Sequence, residues 1–271
     1  MPELPEVETI RTQLSALFPF AVSAQTLTKE LKKDVLHTPL KLEGLRFVEA
    51  RRKGKMLDFV LSDGSHLLSH LGMTGTWLIT RERPSGKHAH LILEGQGPAG
   101  VSFLSYDDPR RFGHLYHYPE AEAHVKLAEL GPDLAGPEFT LEFMIAALKR
   151  MKGRALKVAL LDQKFFAGSG NYIANEICAH AGIRPTRVCG RIKAAEFPKI
   201  FAAIQLVIAG AINSGGTTFQ GGYRDTSGEK GLGVNNLVVF YQKTCRLCGV
   251  TPVKKITLAQ RGTYYCPRCQ K

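Results

Sequence analysis

The chain begins Met1-Pro2-Glu3-Leu4-Pro5-Glu6-Val7-Glu8-Thr9, and these residues can do covalent chemistry. A small second residue such as proline permits removal of the initiator methionine, which would leave Pro2 with a free secondary amine. That amine is a nucleophile able to attack an electrophilic carbon, such as the anomeric carbon of a sugar, and form an iminium. With a reference pKa near ~8, an α-amino group is partly unprotonated at neutral pH without any burial. Glu3, Glu6 and Glu8 crowd it, so a nucleophile stands beside proton donors. Pro5 and Glu8 also have a plainer use. Proline suits a first helical turn, a carboxylate there favours the helix dipole, and Val7, Ile10, Leu14, Leu17 and Phe18 repeat at helical spacing. Pro2 and Glu3 precede that helix, and it does not explain them.

The second constellation is metal-binding. Four of the six cysteines lie in the last 27 residues, as Cys245-Arg-Leu-Cys248 and Cys266-Pro-Arg-Cys269 with 17 residues between the pairs. This spacing predicts a zinc ribbon, in which four thiolates hold one structural zinc tetrahedrally and leave no open position for substrate. Between the pairs, 254–258 and 263–265 read as a hairpin with Gln260-Arg261-Gly262 at its tip. An arginine there suits a DNA groove or a phosphate; otherwise it is a solvated turn residue. Cys178 and Cys189 have no paired spacing, and Cys178 falls in an apolar helical pattern as a small core residue.

The positioning elements change character along the chain. From about 21 to 118 the sequence reads as short strands at 45–51, 55–61, 65–71, 74–80, 88–94, 101–105 and 114–118, separated by turns at Gly54, Asp63-Gly64, Pro84-Ser85-Gly86 and Gly95 to Gly100. Such spacing predicts an antiparallel sandwich, and no strand-helix alternation argues for a nucleotide-binding α/β fold. From Thr140, an N-cap, the pattern becomes helical, with a stripe of Phe143, Met144, Ala147, Leu148 and Met151 and further helices at about 155–162, 171–181 and 194–213. The glycine-rich stretch 215–235 reads as a mobile loop. The fold class is therefore α+β. The expected division is 1–134 for the N-terminal helix and sandwich, 135–235 for a helical part including the glycine-rich loop, and 236–271 for the zinc finger.

A formal charge of +12 and a pI near 9.5 point to a polyanionic partner, nucleic acid or an anionic membrane surface. No apolar run is read as approaching the ~20 residues that span a bilayer, and no signal segment opens the chain. These readings give a cytoplasmic protein and favour nucleic acid. Gly168-Ser169-Gly170-Asn171 lacks the third glycine of a dinucleotide fingerprint and follows a helix, so it reads as a turn into a helix whose free amides can bind phosphate.

The opening nine residues resemble the start of the bacterial formamidopyrimidine-DNA glycosylases, and the likeness extends over nearly the whole chain. Gly170-Asn171-Tyr172-Ile173-Ala174-Asn175-Glu176 is similar to the helix-two-turns-helix of that superfamily, in which the asparagine holds DNA backbone. Tyr172-Ile173 is nearer to the endonuclease VIII branch, and Gln220 stands where some members have lysine. His70-Leu-Gly-Met73-Thr-Gly75 and Asp108-Pro-Arg110-Arg111-Phe112-Gly113 resemble the loops whose Met, Arg and Phe fill the void left by an extruded base. Without the family, Met73 and Phe112 read as core.

The resemblance implies a bifunctional glycosylase and abasic-site lyase acting on oxidised purines in duplex DNA. Pro2 would be the nucleophile, Glu3 the general acid and Glu6 a positioning group, with Lys55 and Arg261 also catalytic. Met73, His88, Arg110, Phe112, Lys152, Lys157 and Asn171 would contact DNA. It further implies one structural zinc held by Cys245, Cys248, Cys266 and Cys269, no organic cofactor, damaged double-stranded DNA as partner, a monomer with no membrane association, and a bacterial, nucleoid-associated location. Two alternatives remain at this stage: an endonuclease VIII-like enzyme for oxidised pyrimidines, and a non-catalytic zinc-ribbon DNA-binding protein.

Overall fold

The structure is a computed structural model that describes every residue except Gly221 and, at Lys32 and Lys33, the side chains. The chain forms two compact units, Met1–Glu129 with Ser214–Leu232, and Leu130–Asn213 with Gly233–Lys271. The division expected from sequence leaves the glycine-rich stretch with the helical part. It packs with the N-terminal unit instead, because polar side chains of the first helix hold it there.

The first unit opens with α1 (Leu4–Ser15), whose Leu4, Val7, Ile10 and Leu14 are fully buried. Each such side chain contributes roughly 1.5–3 kcal/mol relative to exposure. Eight strands follow: β1 (Phe20–Leu27), β2 (Arg46–Lys53), β3 (Met56–Leu61), β4 (Ser65–His70), β5 (Thr76–Thr80), β6 (Ala89–Gly97), β7 (Gly100–Asp107) and β8 (His114–Pro119). All pair antiparallel in the order β5-β7-β6-β1-β2-β3-β4-β8. Phe59 on β3 and Trp77 on β5 are far apart in that order, yet their rings meet edge-on at 5.2 Å. The sheet therefore folds back on itself as two layers, with Phe20, Phe47, Phe59, Trp77, Tyr106 and the inner face of α1 between them.

The glycines 95 to 100, read as a separator, are largely strand. Gly97 pairs with Gly100 across the β6–β7 hairpin, and a Cβ at Gly95 would lie 2.3 Å from the Ala21 carbonyl oxygen of β1. Glycine serves here to admit a close neighbouring strand. Two short helices escaped the sequence reading, α2 (Lys29–Asp34) and α3 (Glu120–Ala128). Only Ala123 of α3 is buried, so it carries no apolar stripe to detect; acids in its first turn and Lys126 in its last mark it instead.

The second unit contains α4 (Leu141–Arg150), α5 (Leu156–Leu160), α6 (Asn171–His180), α7 (Phe197–Asn213) and a hairpin of β9 (Lys254–Leu258) and β10 (Arg261–Tyr265). Thr140 caps α4 as expected, its hydroxyl accepting from the Phe143 N–H at 3.2 Å. Residues 194–213 are long and apolar enough, by length and composition, to cross a bilayer, which corrects the expectation that no such run exists. Phe197, Ile200, Ala203, Ile204, Ile208 and Ala211 of α7 are buried within the unit, the pattern of a core helix. Cys178 is fully buried, which pushes its thiol up to about 12; it is an inert core residue.

Candidate functional site

The chain start is held by Glu6. Its Oε2 accepts from the Glu3 N–H at 2.6 Å and its Oε1 from the Thr217 N–H at 2.6 Å. With 1% exposure, this carboxylate fixes both the entry to α1 and the returning 214–232 segment. At Gly216, φ is +80° and a Cβ would lie 2.9 Å from Glu6 Cγ, so glycine is what lets the segment pass this close. Further along α1, Gln13 Oε1 accepts from both the N–H and hydroxyl of Thr226, while its Nε2 donates to Asp225 at 2.7 Å. The stretch read as a mobile loop is thus fastened at two places.

Lys55 arrives by a different route. Arg52 on β2 donates to Glu8 of α1 at 2.7 Å and to the Gly54 carbonyl at 3.0 Å, so the Gly54-Lys55 turn is fixed to the first helix. Burial pushes the Glu8 carboxyl up, but hydrogen bonds from Arg11 and Arg52 outweigh it and hold it below the ordinary range. Lys55 is itself buried. The Met1 amine lies within electrostatic reach of Glu3, Glu6, Lys55 and Arg110, and burial lowers its pKa, with the two carboxylates opposing and the two cations reinforcing. The acids Glu3 and Glu6 and the lysine Lys55 singled out in the sequence therefore act on the Met1 amine, one residue before Pro2, within one unit.

His70 stands beside this group, opposite Met56 in the β3–β4 ladder. Burial first, then the charges of Lys55 and His114, lower its pKa to about 4. Its Nδ1 accepts from the Gly72 N–H at 3.2 Å, as a neutral ring does. The folded-state pKa is depressed, so the stability tied to neutral His70 is complete above about pH 6.5 and is lost as pH falls toward about 4. Between pH 7 and 4.5 the wild type is expected to lose roughly 2–3 kcal/mol more than a His70→Asn variant, measured by urea unfolding at both pH values; equal losses would dismiss the linkage.

The two glycine-flanked loops form a unit around Asp108. This fully buried carboxylate accepts from the Thr74 hydroxyl at 2.6 Å and the Gly113 N–H at 2.8 Å, and the Arg110 N–H donates to Thr74 at 3.2 Å. A Cβ on Gly72 would lie 2.2 Å from the Phe112 carbonyl oxygen, so the loops touch backbone to backbone. What they present is apolar: Met73 is 37% and Phe112 49% exposed, and the Arg110 guanidinium lies 4.6 Å from the centre of the Phe112 ring. The core alternative for Met73 and Phe112 is overturned. His88 is partly exposed, and its carbonyl accepts from the Asp108 N–H at 3.1 Å. Asp108, Thr74, Thr217 and Gln13 hold these segments in place through hydrogen bonds, and none was among the site residues expected from sequence. Only Asp108, in an Asp-Pro turn, carried a local signal.

In the second unit, α6 organises the hairpin. Asn171 Nδ2 donates to the Gly262 carbonyl at 3.2 Å, and Asn175 Oδ1 accepts from the Tyr264 N–H at 2.7 Å, contacts that suit their one-turn spacing on a helix. Glu176 accepts from the N–H groups of Val238, Val239 and Phe240. Lys157, expected on DNA, is fully buried and donates to the Gly262 carbonyl at 3.2 Å and the Thr263 hydroxyl at 2.7 Å. It supports the hairpin. Tyr172 is buried against Phe240, with ring centres 6.4 Å apart, so this departure from the family pattern sits in the core.

Arg261 is exposed, but it is the first residue of β10 opposite Leu258, not the hairpin tip. The tip is Ala259-Gln260, with φ of 47° and 60°, the left-handed pair that a two-residue hairpin turn requires. Lys152 is exposed. The four cysteine sulfurs lie within 4.8 Å of one another, with Cys245–Cys269 at 4.0 Å and Cys248–Cys266 at 3.9 Å. A tetrahedron of ~2.3 Å zinc–sulfur bonds has edges of about 3.8 Å. The quartet fits, and these cysteines hold a structural zinc that braces the hairpin.

Family models match three successive regions: the formamidopyrimidine-DNA glycosylase N-terminal domain over residues 1–115, its helix-two-turns-helix domain over 130–221, and the zinc finger found in these glycosylases and isoleucyl-tRNA synthetase over 242–271. With the sheet, the helices and the cysteine-held hairpin, they define the architecture of a zinc-finger DNA glycosylase. The formamidopyrimidine-DNA glycosylase of Listeria monocytogenes is 37% identical over the full length of both chains. The MutM (Fpg) structure from Thermus thermophilus has a TM-score of 0.86 at 32% identity, covering 99% of this chain and 98% of that one. A MutM complex with DNA containing carbocyclic 8-oxoguanine also scores 0.86, at 27% identity over the full length of both. The chain belongs to the formamidopyrimidine-DNA glycosylase family.

Proposed function

We propose that this protein removes oxidised purines from duplex DNA and then nicks the abasic strand, using Pro2 as nucleophile once Met1 is removed. The observation that carries the reading is the cluster at the chain start, where Glu6 holds the Glu3 N–H and Glu3, Glu6 and Lys55 act electrostatically on the Met1 amine next to Pro2, in a chain whose relatives bear the glycosylase name. The exposed Met73, Arg110 and Phe112 occupy the stack vacated when the lesion is extruded. Pro2 N attacks C1′, the bond from C1′ to the base breaks, and the base leaves with a proton.

Glu3 assists by donating a proton to the sugar ring oxygen, which opens the ring and yields the iminium. The iminium acidifies the C2′ hydrogen, so β-elimination expels the 3′ phosphate; δ-elimination then expels the 5′ phosphate. Lys55 supplies positive charge beside the reacting sugar, and Glu6 keeps the amine and Glu3 in register. Asn171, Lys152, His88 and Arg261 contact the DNA backbone, with Arg261 assisting late elimination. The enzyme works on chromosomal DNA in the bacterial cytoplasm as a monomer.

Borohydride reduces such an iminium to a stable cross-link. The expected result is cross-linking at Pro2 on a duplex containing 8-oxoguanine opposite cytosine and on an abasic duplex, with much less on thymine glycol. Preference for thymine glycol would move the protein to the oxidised-pyrimidine reading. Tight DNA binding with no cross-link, despite a free Pro2, would leave a binding protein.

A further inference from the structure

The geometry points to a second divalent-cation site in the first unit, formed by His66 of β4 and by Glu120 and His124 of α3. It is separate from the cysteine quartet and from the residues around Pro2. One donor atom from each of the three side chains lies within 4.8 Å of the others, and the two imidazole rings meet edge-on with centres 5.7 Å apart. The fold brings them together by register. Ser65 and His66 pair with Pro119 and Tyr118 at the end of β8, and β8 runs directly into α3. The first turns of α3 therefore return beside the start of β4. Glu120 and His124 are four apart on that helix, a spacing that puts both side chains on one face.

His66 is prepared for ligation. Its side chain is 2% exposed, and its Nδ1 lies 2.6 Å from Oδ1 of the buried Asp58 on β3. With Nδ1 engaged by Asp58, Nε2 is the ring nitrogen left to face a cation. A carboxylate behind the ring is the arrangement that fixes tautomer and orientation in metal-ligating histidines. A buried polar pair accounts for Asp58 and His66, and a favourable helix dipole accounts for Glu120. Neither places His124 beside them.

The donor set selects the cation. Two imidazoles and one carboxylate suit zinc, cobalt or nickel, whereas magnesium and calcium take oxygen donors. Three protein ligands leave a fourth position for water. The donors must close from their present separations to the ~3.3 Å that bonds of about 2.0–2.1 Å require. Glu120 and His124 are exposed and can turn inward to do so. Arg51 is within electrostatic reach of Asp58 and Glu120 and opposes a cation, but its guanidinium is engaged by Glu49 at 2.6 Å. The site is therefore weaker than the cysteine quartet and exchangeable, and when filled it clasps α3 to the sheet.

The test starts from full-length protein whose cysteine site is filled with zinc, titrated with cobalt(II). The expected result is one added cobalt per chain, with visible d–d bands and no sulfur-to-cobalt charge transfer, since no thiolate takes part. His124→Ala and Glu120→Gln alter exposed side chains and should retain the fold; each removes a direct ligand and is expected to weaken cobalt binding by more than the ~10–100-fold that loss of an outer-shell partner costs. Zinc should raise the thermal midpoint of the wild type and not of His124→Ala. The inference is overturned if the zinc-filled wild type takes up no further cobalt, or if His124→Ala binds it as tightly.

Discussion

Glu3→Gln is expected to lower excision of 8-oxoguanine by about 100- to 10,000-fold, the usual range for loss of a positioned general acid. Binding to the damaged duplex should stay close to wild type. The substituted amide keeps the size of the side chain, and the backbone N–H at this position still has Glu6 Oε2 to bond to, so the entry to α1 survives. The loss should depend on substrate. A preformed abasic site presents an aldehyde that condenses with the Pro2 amine without expelling a base, so borohydride cross-linking there should persist while cross-linking on 8-oxoguanine collapses. Pro2→Gly should lower both, since it alters the nucleophile common to the two reactions. Single-turnover excision with parallel trapping separates these cases, and wild-type excision by Glu3→Gln would remove Glu3 from the mechanism.

The second large effect belongs to zinc. Structural zinc sites of this kind contribute an apparent ~10–16 kcal/mol to folding, far more than the side-chain bonds that β9 and β10 make with α6. Cys269→Ala, or removal of zinc by a chelator, should release the hairpin. Residues 249–265 are then expected to become protease-sensitive, zinc at the cysteine site to be lost, and affinity for duplex DNA to fall roughly tenfold or more as Arg261 loses its fixed place. The first unit should keep its fold, since none of its core residues is a zinc neighbour in sequence. A Cys269→Ala protein with full zinc content and an intact, protease-resistant hairpin would show that three thiolates suffice.

Much of this was legible in the chain because local rules governed it. Cysteine spacing announced the zinc, a threonine N-cap and an apolar stripe announced α4, and β-rich segments between glycines announced most of the sheet. Local rules failed where another element made the decision. The glycines 95 to 100 looked like a turn and became strand because β1 approaches too closely for a side chain. Residues 215–235 looked loose because the partners of Thr217 and Thr226, Glu6 and Gln13, lie more than 200 positions away.

The sequence by itself determined the chemistry available: an amine beside acids, four thiolates in two pairs, and an excess of positive charge, none of which depends on distant contacts. Tertiary structure alone decided which side chains are presented and which are spent inside. Met73 and Phe112 are apolar yet exposed, because Asp108 anchors both loops and Gly72 lets their backbones touch. Lys157 is a basic residue yet buried, because the carbonyl of Gly262 and the hydroxyl of Thr263 replace its water. Burial of a side chain depends on the partners that the fold brings to it, and residue type alone does not specify those partners.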